Sequence, residues 1–218
     1  MELFVNHDSA EPRWPAVLAL LAVAGLYLAL PESLTFGPGW LLPALVVVLL
    51  VPTTVSFRLK RHGLNQVLAY VLLGVITAAI IGSLSLLIGA LPDHKQSPKS
   101  LLVSAAALWS ANILVFAAWY WRLDGGGPNA RDLTNVHTDG AFLFPQMTMD
   151  QEAKIAAGEQ CWRPGFVDYL FLAFNSSTAF SPTDVPVLSR WAKLMMMVQS
   201  SISLATLALL AARAVNIL

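Results

Sequence analysis

Residues 165–184 read GFVDYLFLAFNSSTAFSPTD, and an apolar run from Arg190 to Leu218 follows almost at once. The stretch from Phe166 to Phe174 is apolar and aromatic, whereas Asn175, Ser176, Ser177 and Thr178 are small and polar. A helix ending at Phe174 would rise only ~13 Å, far short of a ~30 Å hydrocarbon core. Polar groups at mid-depth need partners in the bundle interior or in water. Non-helical backbone there is tolerated only where protein buries it or water bathes it. Two readings follow. Either the stretch dips into the bilayer and returns, or it continues through Pro182 as a full span. The polar strip suits the re-entrant turn better. Asp168 falls in the first turn, where a carboxylate favours the helix dipole.

Composition makes a bilayer the expected solvent. Of 218 residues, 56% are hydrophobic and 12% charged, against about 25% charged in soluble domains. A formal net charge of zero gives no reason to expect nucleic acid as a partner. The single Cys161 excludes an intrachain disulfide framework and a Cys-based metal site. The N-terminus, MELFVNHDSAEPRW, is acidic and polar, so no cleavable signal is expected and the first apolar run remains as a span.

Four apolar runs precede the opening stretch: Trp14 to Leu30, Trp40 to Phe57, Gln66 to Leu91 and Ser100 to Trp121. Each approaches or exceeds the ~20 residues a span needs, the first being the shortest. Trp14, Trp40, Trp119, Tyr120 and Trp121 lie at run ends, where amphipathic rings prefer the headgroup zone. Arg190 and Lys193 read as snorkelling cations, with Arg213 at the opposite interface. Gly74, Ala78 and Gly82 form a small-residue ridge that reads as helix packing. Residues 122–164 are the one long polar segment, and their aromatic content argues for a cap packed on the membrane domain. Within it a short helix is predicted from Thr148, with Gln151 at the capping-box position, stopping near Gly158. The predicted fold is all-α: a polytopic transmembrane bundle of about five spans plus a short re-entrant, pore-like helix. Residues 1–99 form a three-span region. Residues 100–218 hold the cap loop 122–164, the re-entrant segment 165–184 and a last helix within 186–218.

Thr178-Ala179-Phe180-Ser181-Pro182-Thr183-Asp184, followed by VPVLSRWAKLMMMVQSSISLATLALLAARAV, resembles the filter and inner helix of potassium channels. The order of outer helix, short pore helix, filter strip and inner helix matches over roughly residues 100–218. The resemblance implies a filter or constriction at Asn175, Ser176, Ser177, Thr178, Ala179, Phe180, Ser181, Pro182, Thr183 and Asp184, with Thr178 on the filter threonine and Asp184 on the acid that follows. Ser181, Pro182 and Thr183 stand where Gly-Tyr-Gly would be. Two of them carry Cβ atoms and one has a fixed φ and no N–H, so a ring of inward carbonyls is not expected. A wider hydroxyl-lined constriction or a sealed site remains. The whole chain also resembles bacterial inner-membrane proteins with such a degenerate module, which implies a multi-pass inner-membrane location.

Gln199, Ser203, Thr206 and Leu210 share one face of the last helix, with Ser200 alongside. They either line a pore or hydrogen-bond between helices. Asn112 reads as an interhelical hydrogen-bonding residue. Channel topology would put the cap loop outside. The positive-inside rule would instead put Arg58, Lys60 and Arg61 in the cytoplasm, which by span count makes the cap loop cytoplasmic too. The conflict leaves three resolutions: entry of the module from the cytoplasmic face, a sixth span, or failure of the charge rule.

Enzyme chemistry is not expected. His7, His62, His94 and His137 are scattered, and neither H-E-x-x-H nor G-x-S-x-G occurs. Asp168 and Asp184 read as caps of the short and last helices. No cofactor and no metal site is expected. The expected partners are membrane lipid, small inorganic ions and further copies in a homotetramer, because one re-entrant strip has few neighbours in its own chain. The functional readings are an oligomeric ion channel of low or non-potassium selectivity, a non-conducting scaffold or accessory subunit with a plugged pore, and a small-solute transporter with its site at Asn175 to Thr178.

Overall fold

A computed structural model of the chain describes residues 11–90, 97–133, 140–160, 162–178 and 184–215. Its named elements are all helical. They comprise α1 (Trp14–Leu28), α2 (Leu41–Arg58), α3 (His62–Gly89), α4 (Pro98–Leu123), three short helices α5 (Pro128–Arg131), α6 (Pro145–Thr148) and α7 (Gln151–Ala157), then α8 (Phe166–Thr178) and α9 (Arg190–Val215). Four of them, α2, α3, α4 and α9, are long and apolar enough to cross a membrane. The predicted first span is only the 15-residue α1, which stops at Leu28. Leu30 N–H closes the following turn onto the Tyr27 carbonyl, ahead of Pro31.

The central helix is α4. Within the bundle 67% of its apolar window is buried, against 28%, 39% and 22% for α2, α3 and α9. Leu101, Ala105, Leu108, Val115, Phe116 and Ala117 pack on its neighbours, and α1, α3, α8 and α9 surround it. The outer helices expose Val48, Val51, Val67, Leu194 and Met197. Such a surface suits lipid, where it carries no hydrophobic penalty. Start signals at α4 are plain: the Ser97 side chain accepts from Ser100 N–H, and Pro98 occupies the first turn.

Contacts at the helix ends define two ends of the bundle. At one, Tyr27 Oη lies 3.2 Å from Ser83 Oγ, and the Phe36 ring covers Gly82 so closely that a Cβ there would displace the ring. That accounts for one member of the small-residue ridge. Gly74 meets nothing within 4 Å and Ala78 is exposed, so the ridge does not pack as a whole. A four-residue row winds about 40° per step around a helix, carrying its two ends onto different faces.

The opposite, basic end gathers the start of α1, the α2–α3 turn, the end of α4 and the starts of α8 and α9. Phe142 organises it. Its ring lies 5.2 Å from Tyr120, 6.2 Å from Tyr169 and 6.1 Å from Trp191, and its backbone forms an antiparallel bridge with Val187. Leu143 N–H donates to Pro186 O and Leu188 N–H to Ala141 O. Phe144 packs against Trp162 and Tyr169. Phe142 and Phe144 of the 122–164 segment thus pack against aromatic side chains of α4, α8 and α9. The segment's helix α7 is capped by Asp150, which accepts from Ala153 N–H, and not by Thr148; it ends at left-handed Gly158 as expected. Asp150 wins because its carboxylate reaches the third residue of the helix, whereas Thr148 turns back onto the Pro145 carbonyl.

Candidate functional site

The apolar stretch that begins α8 does not stop at Phe174. Helix α8 runs on through Asn175, Ser176, Ser177 and Thr178. The polar residues stay helical because hydroxyls can bond back along their own helix: Ser176 Oγ donates to Leu172 O at 2.8 Å and Thr178 Oγ1 to Phe174 O at 3.0 Å. At its start Asp168 accepts from Gly165 N–H at 2.7 Å, the capping role expected of it. Burial pushes the Asp168 carboxyl above its usual range, with the Gly165 N–H bond pulling the other way. Asp184 does not cap α9. It is exposed and lies upstream of Ser189, whose hydroxyl accepts from Ala192 N–H. The backbone from Pro186 to Leu188 is occupied in pairing with residues 141–143, which postpones the helix to Arg190. Ala179, Phe180, Ser181, Pro182 and Thr183 lie outside the described residues.

Gln199 ties α8 to α9 and α4. Its Nε2 donates to Ala173 O at 2.7 Å and to Ser177 Oγ at 2.8 Å, and its Oε1 accepts from Tyr120 Oη at 2.5 Å. One turn on, Asn112 Nδ2 donates to Ser203 Oγ at 2.9 Å and to Gln199 O at 3.1 Å. Ser200 Oγ donates to Ser176 O, a carbonyl in the last turn of α8. Tyr120, Asn112, Ser177, Gln199, Ser203 and Thr206 are all 0% exposed. Thr206 bonds back to Ile202 and Ser203, and Leu210 is half-buried beyond it. The polar stripe of α9 thus faces α4 and α8 inside one chain, and interhelical hydrogen bonding is the role seen for Asn112, Gln199 and Ser203. The reason given for a tetramer, a strip short of partners, does not hold for Ser176 and Ser177, since α9 of the same chain supplies them.

A second constellation lies at the basic end. Arg131, buried, donates through Nη1 to Trp121 O and Asp124 O and through Nη2 to Glu11 Oε2 at 2.9 Å. Glu11 also accepts from the Trp121 indole. Asp124, 0% exposed, accepts from Ala141 N–H and from Tyr169 Oη. Burial first, then Asp124, pushes the Tyr169 phenol well above its usual range despite nearby Arg131. Arg13 pairs with Asp132 and lies 5.0 Å from the centre of the Phe57 ring. Desolvation holds its guanidinium below the usual value. Asn65, buried at the start of α3, donates to Thr53 O at 2.6 Å and accepts from Arg122 Nη2 at 2.7 Å.

No family model, curated protein or solved structure matches the chain. Its chemistry is read from its own geometry.

Two cavities meet at Arg122. One, of about 270 Å³, lies between α1, α2, α3 and α4 and is lined mainly by apolar side chains, with Arg13, Arg58, Asn65 and Arg122 among the polar ones. The other, of about 200 Å³, lies between the α3 start and the turn after α4, lined by His62, Gln66, Gly127 and Asn129 among others. Among the described residues no three His, Cys, Asp or Glu side chains come together as a metal site would need. In the sequence Arg122 only follows the fourth apolar run, and the third run begins at Gln66, one residue past Asn65. The local signal is Glu11, Arg13, Arg122 and Asp124 flanking apolar runs, but Glu11 and Arg13 find partners more than 100 residues away and Arg122 finds Asn65 57 residues away, so only the fold pairs them.

Proposed function

We propose that the chain is a multi-pass membrane protein whose channel-like module is re-entrant and plugged, so that it acts as a scaffold or accessory subunit and not as an ion path. The supporting observation is Gln199, which fastens the end of α8 to α9 and Tyr120 with no exposed surface left on any of the three groups. An ion path along that stripe would need water where these side chains meet.

Re-entry is supported by the shared end. Helix α8 has 13 residues and rises about 18 Å, too little for a crossing. Its start and the start of α9 both touch Phe142. Thr178 and Asp184 are six residues apart, so at most about 21 Å separates them, enough for a return from mid-depth to the same end. That reading counts α1 with the four long helices as five spans and leaves α8 as the re-entrant piece. The end where α8 enters carries Arg13, Arg58, Lys60, Arg61, Arg122 and Arg131, which by the positive-inside rule is cytoplasmic. The module then enters from the cytoplasm, opposite to a potassium channel, and the charge rule is kept without a sixth span.

Reconstituted in liposomes, the wild-type chain should carry no K⁺, Na⁺, Cl⁻ or H⁺ flux at any imposed voltage. A leak in Phe180→Ala or Pro182→Gly would place the plug in the strip. Sustained wild-type flux in proportion to protein would overturn the reading and restore the ion channel.

A further inference from the structure

We propose that the paired cavities at the basic end form a binding site for an anionic phospholipid, its phosphate at Arg122 and Arg13 and one acyl chain between α1, α2, α3 and α4. Arg122 is buried at the end of an apolar helix, and its hydrogen bonds go to the backbone and side-chain oxygens of Asn65. Among the described residues no carboxylate lies within ion-pair distance of it. A buried cation without a counter-charge is costly, and the Trp121 ring 5.7 Å away offsets only part of that. Arg13 adds Nε and Nη1, both buried without a hydrogen-bond partner. Three guanidinium groups line the larger cavity and no acidic residue does, although Arg13 also pairs with Asp132 through Nη2.

Arg122 lines both cavities, so the cation stands between a larger volume walled mainly by apolar side chains and a smaller one bordered by His62, Gln66 and Asn129. A headgroup and a fatty chain joined at a phosphate have that same order. The larger cavity, walled on its apolar side by Ala16, Leu20, Leu50, Ala69 and Leu72, has about 270 Å³, room for a stretch of chain but not for a whole lipid. The smaller cavity, beside His62, Gln66 and Asn129, takes the polar headgroup. A free inorganic anion would leave the apolar volume unused, and a zwitterionic choline lipid would bring its own cation to Arg58 and Arg122. This site does not depend on whether the re-entrant helix is plugged.

The test is made on the full chain, purified in neutral detergent and stripped of lipid. It is titrated by native mass spectrometry with phosphatidylglycerol, with phosphatidylcholine of the same acyl chains, and with sodium phosphate as competitor. One phosphatidylglycerol should be retained per chain, with phosphatidylcholine held roughly tenfold or more weaker and phosphate failing to compete at matched concentration. Arg122→Gln should weaken phosphatidylglycerol by roughly tenfold or more, the scale of a charge-assisted hydrogen bond. Ala69→Leu, which keeps every arginine and fills the cavity, should weaken it similarly and decides the matter alone if Arg122→Gln does not fold. Equal retention of the two lipids, undiminished binding in Ala69→Leu, or displacement by phosphate would each overturn the proposal, the last by reassigning the site to a free anion.

Discussion

Replacing Gln199 by Leu tests the polar seam most directly, because the substitution keeps side-chain bulk and deletes three hydrogen bonds at once. Gln199 donates to Ala173 O and Ser177 Oγ and accepts from Tyr120 Oη. Interhelical hydrogen bonds in membrane proteins average about 0.6 kcal/mol each, so the direct loss is about 2 kcal/mol. The Tyr120 hydroxyl, 0% exposed, would also be stranded, and an unsatisfied buried donor adds about 1 kcal/mol or more. The expected total is about 3 kcal/mol. Tyr120→Phe removes the stranded donor, and the bond the two residues share is lost only once, so the double variant should be less destabilised than the sum of the singles by about 1.6 kcal/mol. Reversible unfolding in mixed micelles of dodecyl sulfate and a neutral detergent, followed by far-UV circular dichroism, measures all four states of the cycle. A Gln199→Leu loss below about 0.5 kcal/mol, or strict additivity with Tyr120→Phe, would show that the seam is not a coupled network and would refute the reasoning.

The basic end should be equally sensitive to loss of its organiser. Arg131→Met strands Glu11 and frees the Trp121 and Asp124 carbonyls, so a loss of about 3 kcal/mol is expected in the same unfolding assay, with faster proteolysis within residues 140–160; a loss under 1 kcal/mol would contradict it. Gly127 adopts φ +89°, and a Cβ there would fall 2.6 Å from the Arg122 carbonyl oxygen. Gly127→Ala should therefore cost about 2 kcal/mol, while Gly158→Ala, at φ +73° with open space around it, should cost about 1 kcal/mol; the reverse order would sink the steric argument. Asp168 carries a pH signature. Its carboxyl is raised on folding, so the protonated form favours the fold. That contribution is complete below the unfolded carboxylate range and is lost as pH rises through the raised value. Asp168→Asn keeps an acceptor for Gly165 N–H and should flatten that part of the stability–pH curve; an unchanged slope would assign the effect elsewhere.

Helix α4 explains why the polar seam and the basic end belong to one design. Its Asn112 and Tyr120 hold α9, its Trp121 carbonyl holds Arg131, and its Arg122 holds Asn65. A helix buried on most sides can carry these groups because each finds a partner on a neighbouring helix, where lipid would offer none.

Much was legible in the primary structure. Long apolar runs, Pro and Gly stops, Trp at run ends and the shortness of the Phe166 helix are local properties, and each is set by side chains within a turn or two of one another. They determined an all-helical chain with helices apolar enough to cross a membrane, the stop of α7 at Gly158, and the roles of Asn112 and Asp168. What only the tertiary structure decided depends on partners far apart in the chain. Helical continuation through Asn175 to Thr178 relies in part on Gln199 and Ser200 of the last helix. The inward turn of Gln199 and Ser203 depends on α4 and α8 packing against that face of the last helix. The arginine-lined cavity needs four helices and a terminal segment at once, since a buried charge has meaning only beside the groups that do or do not neutralise it. Periodicity says which face of a helix is polar; packing alone says whether that face meets water, lipid or another helix.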